Sequence, residues 1–126
     1  MKQLFIIPVF VAMISSCSNP VADKVENFIP GTYVKEINDE FSKGMDTLKI
    51  AVLDKSAGSY SIKRGMRYQQ TIDGKTLSPQ YKEENWTAIY NEDTHQLMEQ
   101  KNGKIFSFMP EHGTLSMGSS EYKKIK

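Results

Sequence analysis

From Gly31 to the end of the chain, apolar and polar residues alternate with a period of two, interrupted by turn residues about every ten positions. Successive side chains of an extended strand point to opposite faces, so this alternation predicts half-buried strands rather than helices. Tyr33, Lys35 and Ile37 share one phase against Thr32, Val34 and Glu36. After a polar turn from Asn38 to Gly44, Leu48, Ile50 and Val52 alternate with Thr47, Lys49 and Ala51. Ser56-Ala57-Gly58 turns the chain into Tyr60 and Ile62, and Arg67 to Ile72 follows. Asp73-Gly74 and Asn102-Gly103 are hairpin signals, because a type I′ turn needs positive φ at both central residues. Pro79 lacks an N–H, so the segment Leu77 to Lys82 is expected at an edge or with a kink. Trp86 to Tyr90, His95 to Gln100, Ile105 to Met109, Thr114 to Met117 and Tyr122 to Ile125 complete the series. The expected fold class is all-β, an antiparallel up-and-down meander of about 8–10 short strands closing into a small barrel or strongly curved sheet. A signal-peptide helix and a short helical tether are expected before it.

The tether spans Asn19 to Phe28. Asn19 suits an N-cap with Pro20 at the first helical position. Val21, Val25 and Phe28 then fall on one stripe able to lie against the domain, and Ile29-Pro30 ends the helix.

Before the tether stands Met1 to Cys17. Lys2 gives a positive start, and Leu4 to Ile14 is an apolar run broken only by Pro8. That run is too short to span a hydrocarbon core, which takes about 20 helical residues. A charged start, a short apolar centre and then small residues is the layout of a cleavable secretory signal. Ile14-Ser15-Ser16-Cys17 resembles the lipobox of bacterial lipoproteins, and Cys17 is the single cysteine of the chain. The resemblance implies cleavage before Cys17 and lipid on its sulfur. The expected division is therefore a signal peptide at 1–16, a lipid anchor and tether at 17–29, and the β domain at 30–126. The same resemblance implies a periplasmic location on the outer membrane, with the cell surface as the alternative. Ser18 is not the aspartate that retains such proteins at the inner membrane, and Asn19-Pro20-Val21 is not an acidic export run.

Loss of residues 1–16 leaves 110 of the 126, enough for one domain of ordinary size. The leader carries Lys2 and no acid, so the mature chain has 15 basic residues against 15 acidic ones. Nucleic-acid binding demands a basic surface and is not expected. With the cysteine committed to lipid, no disulfide framework is available, and stability must come from burial.

Few residues point to catalysis, and no cofactor or metal is expected. His95 and His112 stand at strand ends without a supporting cluster. Ser120 and Lys123 match a Ser-x-x-Lys pattern, but on a strand the two point to opposite faces. Gly113 to Gly118 is out of register with a nucleophile elbow and has no helix to follow it. Glu83 and Glu84 with Asp46, Asp54 or Asp73 read as solvated turn carboxylates rather than a glycosidase pair. Met45, Met66, Met98, Met109 and Met117 read as core filler rather than copper ligands. Aromatic residues are the remaining resource, and Trp86, Tyr68 and Tyr81 are the candidate ligand-binding set, expected at a concave sheet face or barrel mouth.

Phe28-Ile29-Pro30-Gly31-Thr32-Tyr33 and the closing Glu121-Tyr122-Lys123-Lys124-Ile125 resemble small bacterial lipoproteins with lipocalin-like domains. In these, a Gly-x-Trp or Gly-x-Tyr opens the first strand after a short helix. The opening also resembles small lipoproteins encoded near conjugative-transfer genes in Bacteroidetes. These resemblances imply a non-enzymatic, membrane-anchored accessory or binding module with a protein partner in the envelope. Two alternatives are a carrier of a small apolar ligand in a lipocalin-like cavity, and an inhibitor of a periplasmic or lysozyme-type hydrolase. The last would use the serine- and glycine-rich loop Ser56 to Tyr60. An assembly role in an envelope machine would require an exposed apolar patch or an unpaired sheet edge.

Overall fold

The computed structural model describes residues 20–126, with side chains from Lys24 onward. The leader at 1–16 and Cys17 lie outside the described residues. A helix, α1 (Pro20–Phe28), precedes nine strands: β1 (Gly31–Asn38), β2 (Ser42–Asp54), β3 (Ser59–Ile72), β4 (Lys75–Thr76), β5 (Gln80–Asn91), β6 (Gln96–Glu99), β7 (Ile105–Met109), β8 (Thr114–Met117) and β9 (Ser120–Lys124). All pairings are antiparallel. Eight strands close in the order β1-β2-β3-β5-β6-β7-β8-β9, with β9 returning to β1, and β4 is an extra strand on the end of β3. The fold is the expected up-and-down barrel. No helix among the described residues is long and apolar enough to cross a membrane.

An eight-stranded barrel is just wide enough for side chains to fill its interior. Here they do. Tyr33, Leu48, Ile62, Leu97, Phe106, Leu115 and Tyr122 are buried at 0–1% exposure, and Ile50, Tyr60, Trp86, Ala88, Tyr90 and Phe108 complete the core. Each lies on the inward phase of its strand, which is the alternation visible in the sequence.

α1 covers one end of this barrel. Val25 and Ile29 are buried and Phe28 is half-buried against the core. Phe28, Tyr33 and Phe108 meet edge-on in a trio with ring centroids 5.7, 6.1 and 6.2 Å apart. The last carbonyls of a helix have no partner within it and must find one elsewhere. Tyr33 Oη lies 2.7 Å from the Phe28 carbonyl and 2.9 Å from that of Ile29, and Lys124 Nζ donates to the Phe28 carbonyl as well. Gly31 makes this junction sterically feasible. Its φ is +149°, and a Cβ there would sit 2.2 Å from the Lys126 carbonyl oxygen. The Gly-x-Tyr opening thus has two jobs, tight passage of the last residues past Gly31 and a hydroxyl that holds the helix end.

The strands differ greatly in length. β2, β3 and β5 run for 13, 14 and 12 residues, whereas β6 to β9 have four or five each. β6 pairs with β5 only from Ala88 to Asn91, and β9 pairs with β1 only at Tyr33 and Val34. The long strands therefore overhang the barrel at the end away from α1. Two sequence expectations are corrected here. Tyr60–Lys63 and Arg67–Ile72 are one strand through Gly65, and Pro79 precedes β5 rather than kinking it. The reason is pairing: β3 is held on both sides, by β2 from Gln70 to Ser59 and by β5 from Tyr68 to Ser59. The two hairpin signals also differ. Asp73 and Gly74 both have positive φ, 52° and 75°, as a type I′ turn requires. At Asn102-Gly103 only the glycine does, because Glu99 organises a longer loop there.

Replacing Tyr33 by Phe removes the hydroxyl that holds the end of α1. The expected loss of stability is about 1–3 kcal/mol by urea denaturation, with faster amide exchange in α1 than in β2.

Candidate functional site

The overhang is where the chain departs from a plain barrel, and a charged cluster inside the barrel supports it. Asp46 lies two residues before Leu48 and four before Ile50, on the same inward phase. Arg64 follows Tyr60 and Ile62 in the same way. Arg64 Nε and one terminal nitrogen grip the Asp46 carboxylate at 3.1 and 2.8 Å, a bidentate pair. Tyr122 Oη donates to the same carboxylate at 2.5 Å, from β9 across the barrel. The hydrogen bond to Asp46 raises the Arg64 pKa further. Burial, then the bond to Asp46, pushes the Tyr122 hydroxyl well above the usual phenol range. Trp86 packs at 6.1 Å from Phe106, with the Arg64 guanidinium 5.8 Å and Lys104 Nζ 5.3 Å from its ring centre. Asp46 is thus a buried strand residue rather than the solvated turn carboxylate its sequence neighbourhood suggests, because Arg64 and Tyr122 satisfy it. The local signal is a charge on the inward phase of β2 and of β3.

The three aromatic candidates do not come together. Trp86 is in the core, Tyr68 is half-buried on the inward face of β3, and Tyr81 is 56% exposed on the outer face of β5. What the overhang does gather is on its outer wall. Thr47 and Lys49 of β2 stand opposite Gly65 and Lys63 of β3, and Arg67 stands opposite Met45 on one side and Tyr81 on the other. Gly65 has no side chain to fill the centre, and the Tyr81 hydroxyl lies 3.2 Å from where its Cβ would be. A hollow of 220 Å³ results, lined by Met45, Thr47, Lys49, Lys63, Gly65, Arg67 and Tyr81. Tyr81 Oη donates to Glu83 at 3.0 Å, and Lys63 Nζ lies 3.2 Å from the other Glu83 oxygen. These two donors hold the Glu83 carboxyl below the usual carboxylate range. At the tip, Phe41, Ile72 and Leu77 are 65%, 50% and 40% exposed. Phe41 and Leu77 are tied to β3 by backbone bonds to Thr71 and Gln70.

The other open feature is at the α1 end. A groove of 490 Å³ runs between α1 and β7, lined by Val25, Phe108, Met109 and Pro110 with Lys24, His95, Glu111 and His112 at its polar edge. The fold thus brings both histidines to one groove from 17 positions apart. His95 Nδ1 is 3.1 Å from Tyr90 Oη. Burial, then Glu26, pushes the Tyr90 hydroxyl up to about 12. Among the described residues, no three His, Cys, Asp or Glu side chains converge as a metal site. Ser120 accepts from Lys35 Nζ at 3.0 Å, while Lys123 is exposed. Glu99 is buried and receives the turn N–H groups of Asn102 at 2.6 Å, Lys101 at 3.2 Å and Lys104 at 3.4 Å. Burial alone would raise its pKa, but these N–H donors hold it below the usual carboxylate range.

No protein-family model, no curated protein and no solved structure matches this chain. The fold and the geometry are therefore what any functional argument must use.

Two outcomes follow from this geometry. Arg64→Ala leaves Asp46 buried without its counter-charge and should cost about 3–5 kcal/mol, whereas Asp46→Leu with Arg64→Met should cost much less, both read by urea denaturation. Because the folded Glu99 carboxyl is depressed, its contribution is complete above the ordinary carboxylate pKa and lost as pH falls through the folded value. Wild type should therefore exceed Glu99→Gln in stability at neutral pH, and the gap should close on acidification.

Proposed function

We propose that this chain is a non-enzymatic lipoprotein, anchored through lipid on Cys17 at the periplasmic face of the outer membrane, whose barrel is a binding or accessory module. The observation that carries the anchor is Ile14-Ser15-Ser16-Cys17 at the end of the apolar leader, and the attachment of α1 sets the orientation. Pro20 begins the helix three positions after Cys17, and the helix end is held by Tyr33 and Lys124. Three residues reach about 10 Å at most, so the α1 end lies near the anchor and the overhang points away from it. Membrane affinity rises by about 0.8 kcal/mol per buried methylene, and several chains on one residue hold where a single short one does not.

Binding rather than catalysis is supported by the way the interior polar groups are used. Asp46 is occupied by Arg64 and Tyr122, and Glu99 by a turn. Both serve structure. The exposed tip residues Phe41, Ile72 and Leu77 suit contact with an envelope protein. A carrier of a small apolar ligand would use the groove beside α1, because side chains fill the barrel axis. The loop from Ser56 to Tyr60, invoked for a hydrolase inhibitor, joins β2 to β3 at the α1 end, with Asp54 accepting from Ser56 and Ala57. In the anchored orientation that loop faces the membrane.

Metabolic labelling with palmitate tests the anchor. Wild type should carry label and sediment with outer membranes, and Cys17→Ala should lose both. Label retained by Cys17→Ala would refute the proposal.

A further inference from the structure

We infer that the hollow over Gly65 on the outer wall of the overhang is a binding site for a phosphate group, either free or carried by a lipid headgroup. Three cations surround it. Lys49 and Lys63 stand directly opposite each other on β2 and β3, and Arg67 lies one inward-outward repeat beyond Gly65. Like charges directly opposite on neighbouring strands destabilise a sheet unless something offsets them. Glu83 offsets Lys63, and among the described residues no carboxylate lies within ion-pair distance of Lys49 or Arg67. The whole chain carries a formal net charge of only +1, so three cations around one acid are a local surplus.

Shape and donor chemistry agree with the charge. Gly65 leaves the floor open, and Tyr81 forms one wall with the Arg67 guanidinium 5.4 Å from its ring centre. Stacking of this kind holds a guanidinium in place with its N–H edge available, and such an edge matches phosphate oxygens. The Thr47 hydroxyl adds a neutral donor, and the two ammonium groups supply charge. The 220 Å³ volume is about seven times the share of one water in the liquid, room for a phosphate with a short substituent. Glu83, held at the rim by Tyr81 and Lys63, disfavours a second large anion beside the first. The inference names a ligand class for the binding module and rests on that reading only for its setting, in which a lipid headgroup would reach the hollow on a lipid outside the anchoring membrane. The wall has the same geometry whether or not Cys17 is acylated, so a failed labelling experiment and a failed titration are separate results.

The test uses the full chain, nitrogen-15 labelled and held in detergent. One arm titrates inorganic phosphate against chloride at constant ionic strength, and the other titrates dihexanoyl-phosphatidylglycerol. Saturable shifts of the Thr47, Lys63, Gly65 and Tyr81 amides are expected in at least one arm, and the responding arm identifies the source of the phosphate. The exposed pair Lys49→Gln with Lys63→Gln should weaken that binding at least about tenfold. Lys55→Gln, in the turn at the α1 end, should leave it unchanged. Gly65→Ala, which places a methyl in the hollow, should also weaken it. Absence of saturable shifts in both arms, equal shifts with chloride, or unchanged affinity in the double lysine variant would overturn the inference.

Discussion

Closure between the first and last strands is the constraint on which the rest of the structure depends. β1 and β9 pair at only Tyr33–Lys124 and Val34–Lys123, with backbone bonds between Thr32 and both Ile125 and Lys126 extending the seam. So short a ladder would close a barrel weakly, and side chains reinforce it from both ends. Tyr33 and Lys124, partners in the seam, also secure α1 across the barrel end. Tyr122, two residues before Lys124, reaches across the interior to Asp46 on β2. The seam is thus tied to the helix at one end and to the charged cluster at the other.

The charged cluster explains how long and short strands coexist. Beyond β6 to β9 the wall consists of β1, β2, β3 and β5, with β4 on the end of β3, and the opposite wall gives way. Where that cover ends, Lys35, Asp46, Arg64 and Glu84 take the inward phase in place of apolar residues, with Lys35 opposite Asp46 and Glu84 opposite Arg64. Asp46 itself is still buried beneath Tyr122 of β9. At Gly44 the β2 backbone comes so close to β3 that a Cβ would lie 1.9 Å from the Arg67 carbonyl oxygen. Lys82, Glu83 and Glu84 along the one-sided edge of β5 discourage pairing with another chain. The overhang is stabilised by polar contacts on its inside and left open on its outside.

Much of the architecture was legible because period-two alternation is a local property. Leu48, Ile50, Tyr60, Ile62, Trp86, Ala88, Leu97, Phe106, Leu115 and Tyr122 could be assigned to one face without knowing any partner strand. The continuity of β3 through Gly65 was not legible, since a glycine after the charged pair Lys63-Arg64 reads locally as a break. Its explanation lies in β2 and β5, distant in sequence, which hold it on both sides. Only residue type nominates the aromatics Trp86, Tyr68 and Tyr81 as a set. Which face each occupies follows from strand phase, and how near they come depends on pairings that residue type does not encode.

The sequence by itself determined the strand class, the antiparallel order, the core phase and the expectation of a lipid-bearing leader, because each depends on neighbours within a few residues. Only the tertiary structure decided that Asp46, Arg64 and Tyr122 form one cluster, that two histidines share a groove, and that Thr47, Lys49, Lys63, Arg67 and Tyr81 ring an empty Gly65. Those groupings depend on register between strands. Register is set when the whole barrel closes, and a slip of one residue would move every one of these side chains to the other face.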